Sequence, residues 1–339
     1  MTVRAGCFLV LSVFFAAACS NDSQLPTYDL SGETMGTTFN ITLVEPPSDT
    51  DLEALRLRIE KQLEHVDEVA STYRSESELS RFNSDPSTDW IKVTQEFCHM
   101  ASAALDVSLM TQGAFDITVG PLVNLWGFGP TNMTNELPSN EEITAAQTNV
   151  GYEKLETDCD YASLRKASAG IYVDLSGWAK GYAVDEIAAL LDADNFENYL
   201  IEIGGELRLK GHNSAREKFS IAIEKPLKNN AMQYVSIRLT DAAVASSGDY
   251  RNFYEHDGRR YSHTIDPRTG RPIDHSLVGV TVVSTTTAFA DAMATALLVL
   301  GADDGLALAE KLKISALFLI KSNDGVEENR TSEFEKLRQ

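Results

Sequence analysis

Cysteine is scarce in this sequence, which has four cysteines among 339 residues. Cys7 and Cys19 lie in the N-terminal segment, so only Cys98 and Cys159 remain for the rest of the chain. Their separation is not the spacing of metal-binding cysteines, and two cysteines do not make the disulfide framework of a small secreted domain. The sequence therefore excludes a cysteine-based metal site and leaves open whether Cys98 and Cys159 pair.

Basic residues are also few. The chain has 29 Lys and Arg residues against 50 Asp and Glu residues, which gives a formal net charge of −21. Proteins that bind nucleic acid present basic stripes or patches to the phosphates, and no such stripe occurs in this sequence. The charge pattern therefore excludes nucleic acid as a partner of the general surface.

Long apolar runs are missing as well. The run from Phe8 to Ala18 falls well short of the roughly 20 residues that a membrane-spanning helix needs. It follows Arg4 and leads through small residues into Cys19, which is typical of a lipoprotein signal. Ala16 stands where such signals usually have Leu, so an ordinary cleaved signal is the alternative. We expect Cys19 to be the lipidated first residue of a protein on the periplasmic side of a bacterial membrane.

The rest of the pattern predicts an α+β domain. Apolar residues at helical spacing predict helices that include residues 52–70, 94–111, 178–191 and 288–300. Short β-rich runs predict strands that include residues 37–44, 171–175, 199–203 and 278–283. This mixture favours largely antiparallel sheets with packed helices over a doubly wound sheet. The expected organisation is a signal peptide at 1–18, a tether at 19–29, one domain at 30–325 and a polar tail at 326–339.

Two motifs near the start of the domain carry side chains suited to a planar ligand. In G-E-T-M-G-T, Met35 lies between glycines that permit close backbone approach, and its thioether suits an aromatic ring. In S-T-Y-R, the ring of Tyr73 could stack on a heterocycle. The alternatives are a simple strand-entry turn for the first motif and a capped surface helix for the second.

Two further motifs place charged residues in apolar surroundings. Asp116 lies in G-A-F-D-I-T-V-G-P, and a buried carboxylate usually needs partners because its desolvation is costly. The segment D-L-S-G-W-A-K-G-Y runs from Asp174 through Gly177 into a predicted helix that carries Lys180. Helix N-termini favour anions, and a lysine adds a point charge for phosphate. The second motif therefore predicts a phosphate site.

The C-terminal third adds candidate reactive groups. Asp291 and Thr295 are four residues apart on a predicted helix and so share one face. Carboxylate and hydroxyl oxygens suit Mg²⁺, which often also holds substrate phosphates. His263 precedes the strong turn signal D-P-R-T-G and is a candidate general acid or base, because histidine titrates near neutral pH.

Together these segments resemble the FAD:protein FMN transferase family, also called ApbE and once named thiamine biosynthesis lipoprotein. The resemblance covers roughly residues 30–320, and the shared order of its motifs makes it specific. The motifs are G-E-T-M-G-T, S-T-Y-R-S-E-S-E-L-S-R-F-N, G-A-F-D-I-T-V-G-P, D-L-S-G-W-A-K-G-Y, S-S-G-D-Y, H-T-I-D-P-R-T-G and A-D-A-M-A-T. The lipoprotein signal agrees with this resemblance.

The resemblance implies roles for the matching residues. The implied FAD contacts are Met35, Tyr73, Ala114, Phe115, Asp116, Asp174, Lys180 and Ile265. The implied Mg²⁺ ligands are the Gly177 carbonyl, Asp291 and Thr295. His263 lies in the segment associated with catalysis, and either His263 or Asp291 could take the hydroxyl proton.

The family's reaction is attack by a threonine hydroxyl of a target protein on the FMN-side phosphorus of FAD, with AMP leaving. The implied partners are flavin-bearing subunits of Na⁺-translocating NADH:quinone oxidoreductase or Rnf-type complexes, or other exported flavoproteins. One alternative is hydrolysis of FAD to FMN and AMP, and another is a lipoprotein that only binds flavin. The family implies anchoring in the inner membrane, whereas Ser20 after the lipidated cysteine would permit sorting to the outer membrane.

Overall fold

The computed structural model describes residues 24–130, 137–226, 232–249, 253–323 and 325–337. Cys19, the expected lipidation site, lies outside the described residues. The strands of the described part are β1 Thr27–Thr34, β2 Thr37–Val44, β3 Ile91–Lys92, β4 Leu155–Asp158, β5 Ser163–Lys166, β6 Tyr199–Ile203, β7 Glu206–Lys210, β8 Phe219–Pro226, β9 Met232–Leu239, β10 Ala242–Gly248, β11 Phe253–His256, β12 Arg259–Ser262, β13 Ile265–Asp266, β14 Arg271–Pro272, β15 Leu277–Ser284, β16 Ser315–Lys321 and β17 Val326–Arg330.

The helices of the described part include several whose ends match the sequence pattern closely. They are α1 Leu52–Ala70, α2 Glu78–Ser84, α3 Gln95–Met110, α4 Gly120–Leu125, α5 Asn140–Gln147, α6 Ala179–Ala193, α7 Thr287–Leu300, α8 Ala302–Leu312 and α9 Ser332–Lys336. A 3₁₀ turn spans Tyr152–Lys154. None of the helices in these described ranges is both long and apolar enough to cross a bilayer.

A central sheet of eight strands organises the molecule, in the order β1-β2-β6-β7-β10-β15-β16-β17. Its strand pairs are antiparallel, as the α+β prediction expected. Side chains alternate between its two faces. On β10, Ala245 packs in the core cluster that contains α7, whereas Val244 packs against the β8–β9 hairpin. The sheet is therefore covered by helices on one face and by this hairpin on the other.

Helices α6 and α7 contact each other closely near their N-termini. A Cβ added at Gly181 would lie only 2.5 Å from the Thr287 carbonyl oxygen, so only glycine permits this approach. The Asp185 carboxylate of α6 accepts the N–H groups of Thr287, at 2.8 and 2.9 Å, and of Ala288, at 2.9 Å. A side chain from α6 thus satisfies the free N–H groups that begin α7.

Three expectations about the chain differ from the structure. Residues 171–175 are not in a strand, because the Asn83 side-chain amide bonds the N–H and C=O of Val173, at 2.7 and 2.8 Å, and takes the place of a neighbouring strand. Residues 326–339, predicted as a polar tail, contain folded structure, since β17 pairs with β16 and Phe334 is fully buried. Residues 27–29, the last part of the expected tether, already belong to β1.

A disulfide answers the question whether Cys98 and Cys159 pair. Cys98 and Cys159 are bonded, with their Cα atoms 5.6 Å apart across a sequence separation of 61 residues. The bond joins α3 to the turn between β4 and β5. It therefore ties the small sheet β3-β5-β4 to the helical layer.

Candidate active site

Two hairpin turns meet at one end of the central sheet. Met35-Gly36 connects β1 to β2 with φ angles of 48° and 72°, and Gly204-Gly205 connects β6 to β7 with φ angles of 61° and 106°. Positive φ at both central positions is the requirement of the tightest hairpin turns. A Cβ at Gly204 would lie 3.0 Å from Thr37 Cγ2 and 3.3 Å from Lys180 Cδ. Both turns therefore lie beside the start of α6.

Lys180 occupies the centre of this region. Its Nζ lies 3.4 Å from Glu206 Oε1 and 3.6 Å from Asp291 Oδ2. Burial disfavours the charged ammonium, but the carboxylates of Asp291 and Glu206 outweigh burial and raise the pKa of Lys180. Lys180 is therefore a permanent cation at the first turn of α6, where the sequence predicted a phosphate site.

Glu206 is a site residue for which the sequence analysis gave no role. Glu206 is 4% exposed, and its Oε2 has no hydrogen-bond partner among the described residues. Burial raises the pKa of Glu206, while the Lys180 ammonium opposes that effect. The sequence does show an acid directly after Gly204-Gly205. It does not show that this acid faces Lys180, which is distant along the chain.

Asp291 and Thr295 lie on one face of α7, as their spacing predicted. Asp291 Oδ2 accepts the Gly181 N–H at 3.3 Å. One turn later, Thr295 Oγ1 lies 3.0 Å from Ser247 Oγ of β10. A Cβ at Gly177 would lie 3.4 Å from Thr295 Oγ1 and 3.1 Å from Phe115 Cε2. The structure therefore brings together five of the predicted site residues, which are Phe115, Gly177, Lys180, Asp291 and Thr295.

The oxygen atoms of these residues suit a hard cation. The Asp291 carboxylate, the Thr295 hydroxyl and the backbone at Gly177 offer oxygen, the ligand atom that Mg²⁺ prefers. Glu206 Oε2 is a further buried oxygen without a partner among the described residues. The described residues contain no group of three or more His, Cys, Asp or Glu side chains that would hold a metal. A cation here would therefore depend on substrate phosphate and water for the rest of its coordination.

Asp116 has the partners that its burial predicted. The side chain is 5% exposed, and Oδ1 accepts the Thr118 N–H at 2.8 Å and the Thr118 hydroxyl at 2.7 Å. Oδ2 accepts the Tyr152 N–H at 2.8 Å. Burial raises the pKa of Asp116, and these hydrogen bonds oppose the rise. The carboxylate thus fixes the loop that also holds Ala114 and Phe115, while a contact of this segment with FAD stays a prediction.

Tyr73 and Asp174 lie on the rim of the same region. Tyr73 is 69% exposed, and its hydroxyl donates to the Phe128 carbonyl at 3.2 Å. Burial of the hydroxyl and the nearby Asp174 charge raise the pKa of Tyr73. Asp174 is placed by its N–H, which donates to the Ile117 carbonyl at 2.7 Å. An exposed ring held at its hydroxyl end is suited to stacking on a flat ligand.

His263 belongs to an aromatic group beside Tyr73. Its ring centroid lies 6.4 Å from that of Phe128, whose ring also lies 5.2 Å from Tyr254. The following turn is confirmed, since the Gly270 N–H donates to the Asp266 carbonyl at 2.8 Å.

Ile265, the predicted flavin contact two residues after His263, is buried in an apolar cluster against which Phe128 also packs. It packs in the cluster that contains Leu122 and Trp126. The indole N–H of Trp126 donates to the Gly270 carbonyl at 2.8 Å, which holds the turn against this cluster. Sequence and structure therefore agree that a turn follows His263.

Comparison with known proteins decides the family. The sequence model of the ApbE family matches residues 35–318. The chain belongs to the ApbE family. Among curated relatives, an FAD:protein FMN transferase of Vibrio cholerae is 43% identical over 323 residues, 95% of this chain and 96% of the relative. One of Haemophilus influenzae is 40% identical over 339 residues, 98% of this chain and 97% of the relative.

Solved ApbE structures share the fold. The flavin transferase ApbE from Vibrio cholerae matches with a TM-score of 0.87 and 43% identity, over 92% of this chain and 99% of that one. The apo flavinyl transferase ApbE from Pseudomonas stutzeri matches with a TM-score of 0.85 and 40% identity, over 93% and 98% of the two chains. This ApbE chain therefore has the α+β architecture of the family along nearly its whole length.

Proposed function

We propose that this ApbE chain is an FAD:protein FMN transferase, which moves FMN from FAD to a threonine hydroxyl of a target protein and releases AMP. The observation that carries the proposal is the half-buried Lys180 ammonium, which lies between the carboxylates of Glu206 and Asp291. Curated relatives that match almost the full chain carry the same activity.

The proposed reaction forms one bond and breaks one. The threonine oxygen bonds to the FMN-side phosphorus of FAD, and the bond from that phosphorus to the bridging oxygen of AMP breaks. Lys180 stabilises the negative charge that develops on the pyrophosphate, because a fixed cation attracts that charge more strongly in a partly buried site than in water. Mg²⁺ held by Asp291, Thr295 and the Gly177 carbonyl would supply further positive charge to the same oxygens.

The threonine proton needs an acceptor. Asp291 already faces the Lys180 ammonium and accepts the Gly181 N–H, so its carboxylate is occupied by other partners. His263 is the better candidate in chemical terms, since a neutral imidazole accepts a proton near neutral pH. We therefore assign His263 to proton transfer and Asp291 to charge and metal binding.

The flavin and nucleotide parts of FAD would use the surrounding residues. Tyr73 offers an exposed ring for stacking, and Met35 offers a half-buried thioether at the β1–β2 turn. Phe115, Ile265 and the loop that Asp116 fixes supply apolar and backbone surface. Asp174 lies at the rim near Tyr73, where its carboxylate can accept hydrogen bonds from a ribityl or ribose hydroxyl.

The location and the acceptors are part of the proposal. The signal pattern that ends at Cys19 supports a lipid-anchored enzyme on the periplasmic side of the inner membrane. Exported flavin-bearing subunits of Na⁺-translocating NADH:quinone oxidoreductase or Rnf-type complexes are the proposed acceptors. Mass spectrometry of wild type and Cys19→Ser tests the anchor. We expect an acylated mature chain only in wild type, and equal mature masses would contradict lipidation.

The activity is tested by mixing purified enzyme with FAD, Mg²⁺ and such a subunit, then measuring flavin fluorescence on the subunit after denaturing electrophoresis. Lys180→Met should abolish labelling. Lys210→Met is the matched control, since Lys210 lies at the other end of β7 and pairs with Asp192 at 2.9 Å. AMP release without labelling would indicate FAD hydrolysis, and labelling by Lys180→Met at the wild-type rate would contradict the proposed site.

A further inference from the structure

Strand β10 extends beyond the end of its neighbour β7. The two strands pair only from Ala242 to Val244, because β7 begins at Glu206, directly after the Gly204-Gly205 turn. On its other side, β10 stays paired with β15 as far as Gly248. Among the described residues, the last part of β10 therefore has a neighbouring strand on one side only.

One hydrogen bond shows which backbone groups face the free edge. The Asp249 N–H donates to the Val278 carbonyl of β15 at 3.2 Å. Backbone groups of successive residues in an antiparallel strand point alternately to its two sides, so Ser247 also directs its N–H and C=O toward β15. Ser246 and Gly248 direct theirs toward the opposite edge, where no strand of the described part of the chain pairs with them.

The free edge of β10 has room beside it. A cavity of about 230 Å³ adjoins the edge, and its lining includes Gly205, Ser246, Ile221 and Ile223. A Cβ added at Gly205 would meet no atom within 4 Å. Ser246 is exposed, so an incoming chain can reach the edge from solvent.

The same edge leads to the candidate active site. Side chains of β10 alternate between the two faces of the sheet. Ser246 lines the cavity under the β8–β9 hairpin, whereas Ser247 Oγ contacts Thr295 Oγ1 on the α7 face at 3.0 Å. A residue of a partner strand opposite Ser247 would direct its side chain to that α7 face as well.

We propose that an extended segment of the acceptor protein pairs antiparallel with the free edge of β10 and places its acceptor threonine opposite Ser247. The proposal rests on the proposed transfer of FMN to a protein threonine. In this register the residues before and after the threonine exchange hydrogen bonds with Gly248 and Ser246, and their side chains enter the cavity, which has both apolar and polar lining residues. The threonine hydroxyl points toward Thr295 and the Lys180–Asp291 pair.

Backbone-methylated peptides test the pairing directly. The probes are three synthetic peptides of the acceptor subunit, centred on the threonine: unmodified, N-methylated on the next residue, and N-methylated on the threonine itself. Methylating the next residue removes an N–H that faces β10 and should lower kcat/KM for transfer by roughly tenfold or more. Methylating the threonine should have little effect, because its N–H points away from β10. Equal effects of the two methylations, or the reverse order, would overturn the proposal.

A pair of enzyme variants tests the site with the intact acceptor subunit. Ser246→Trp fills the cavity and should lower kcat/KM for the subunit by roughly tenfold, at unchanged FAD affinity. Ser220→Trp is the matched control and should stay near wild type, because Ser220 is an exposed residue of β8 outside the cavity lining. Circular dichroism checks folding. Equal transfer by Ser246→Trp and Ser220→Trp would overturn the proposal.

Two further outcomes of these experiments are informative. Protection of the Ser246 and Gly248 amides from hydrogen exchange before any acceptor is added would show that this chain covers its own edge, and would also overturn the proposal. If wild type fails to label the intact subunit, the proposed function fails instead.

Discussion

The ammonium of Lys180 lies 3.6 Å from the carboxylate of Asp291, and the two residues come from neighbouring helices, α6 and α7. Glu206 completes the arrangement from β7, so two carboxylates face one cation. Burial raises the pKa of Glu206, so protonation removes its negative charge unless a cation takes the place of the proton. A divalent cation that binds together with a phosphate-bearing substrate is the proposed replacement at this point.

The first prediction concerns Asp291. Asp291→Asn keeps the size of the side chain but removes the charge, so the transfer rate should fall by about 10²–10³-fold. Transfer should be measured across a Mg²⁺ titration, with FAD affinity measured on the same preparation. Asp303→Asn is the control, since Asp303 is an exposed acid in the first turn of α8. A variant with the wild-type rate and the wild-type Mg²⁺ dependence would contradict the assignment.

The second prediction concerns His263. His263→Ala should lower turnover by about 10²–10⁴-fold if the imidazole accepts the threonine proton, with a much smaller change in FAD affinity. His212→Ala is the control, because His212 lies just beyond the far end of β7. Transfer rate, FAD affinity and melting temperature should be measured together. A rate that falls only in proportion to folded protein or bound FAD would show that His263 packs without reacting.

The third prediction concerns Asp116 and pH. Asp116→Ala leaves the Tyr152 N–H and the Thr118 groups without their acceptor, so the free energy of unfolding should fall by about 1–3 kcal/mol. Because the pKa of Asp116 is raised in the folded state, its stabilising contribution is largest below the ordinary carboxyl range and decreases as pH rises through the raised value. The destabilisation by Asp116→Ala should therefore shrink from acidic to neutral pH. Urea unfolding at several pH values checks this, and a destabilisation that grows with pH would contradict the direction.

The fourth prediction concerns the disulfide. The bond closes a loop with a sequence separation of 61 residues, and a loop of that length corresponds to a loss of up to about 4 kcal/mol when both cysteines are replaced. The variant with Cys98→Ala and Cys159→Ala should therefore unfold at a lower urea concentration than oxidised wild type. Reduced wild type is the matched control and should approach the variant. Equal stability of all three would contradict the expected contribution.

The sequence predicts local structure better than it predicts the site. The predicted bounds of α1 and β6 agree with the structure, because the amphipathic pattern of the helix and the β-rich run of the strand are local signals. Residues 171–175 have the same strand pattern, yet the side chain of Asn83 takes the place of a neighbouring strand. A partner so distant in the sequence leaves no trace in a local pattern.

For the same reason, some residues of the candidate site could be predicted from the sequence and others could not. Asp291 and Thr295 share a helical face by spacing alone, so their proximity was predictable. Glu206 was missed because its importance depends on sheet order, which brings β7 to α6. Ser247 lay in a motif of the family resemblance but received no role, since its contact with Thr295 depends on the face of β10 that packs on α7.

The close contact between α6 and α7 has a consequence for substrate binding. Gly181 and Asp185 fix how the two helices lie against each other, so the distance between Lys180 and Asp291 is set before any substrate arrives. The charges to which we assign a catalytic role are thus preorganised, and little free energy would be needed to align them during the proposed reaction. Adjustment to the substrate falls instead on side chains outside this helix pair, above all on the exposed ring of Tyr73.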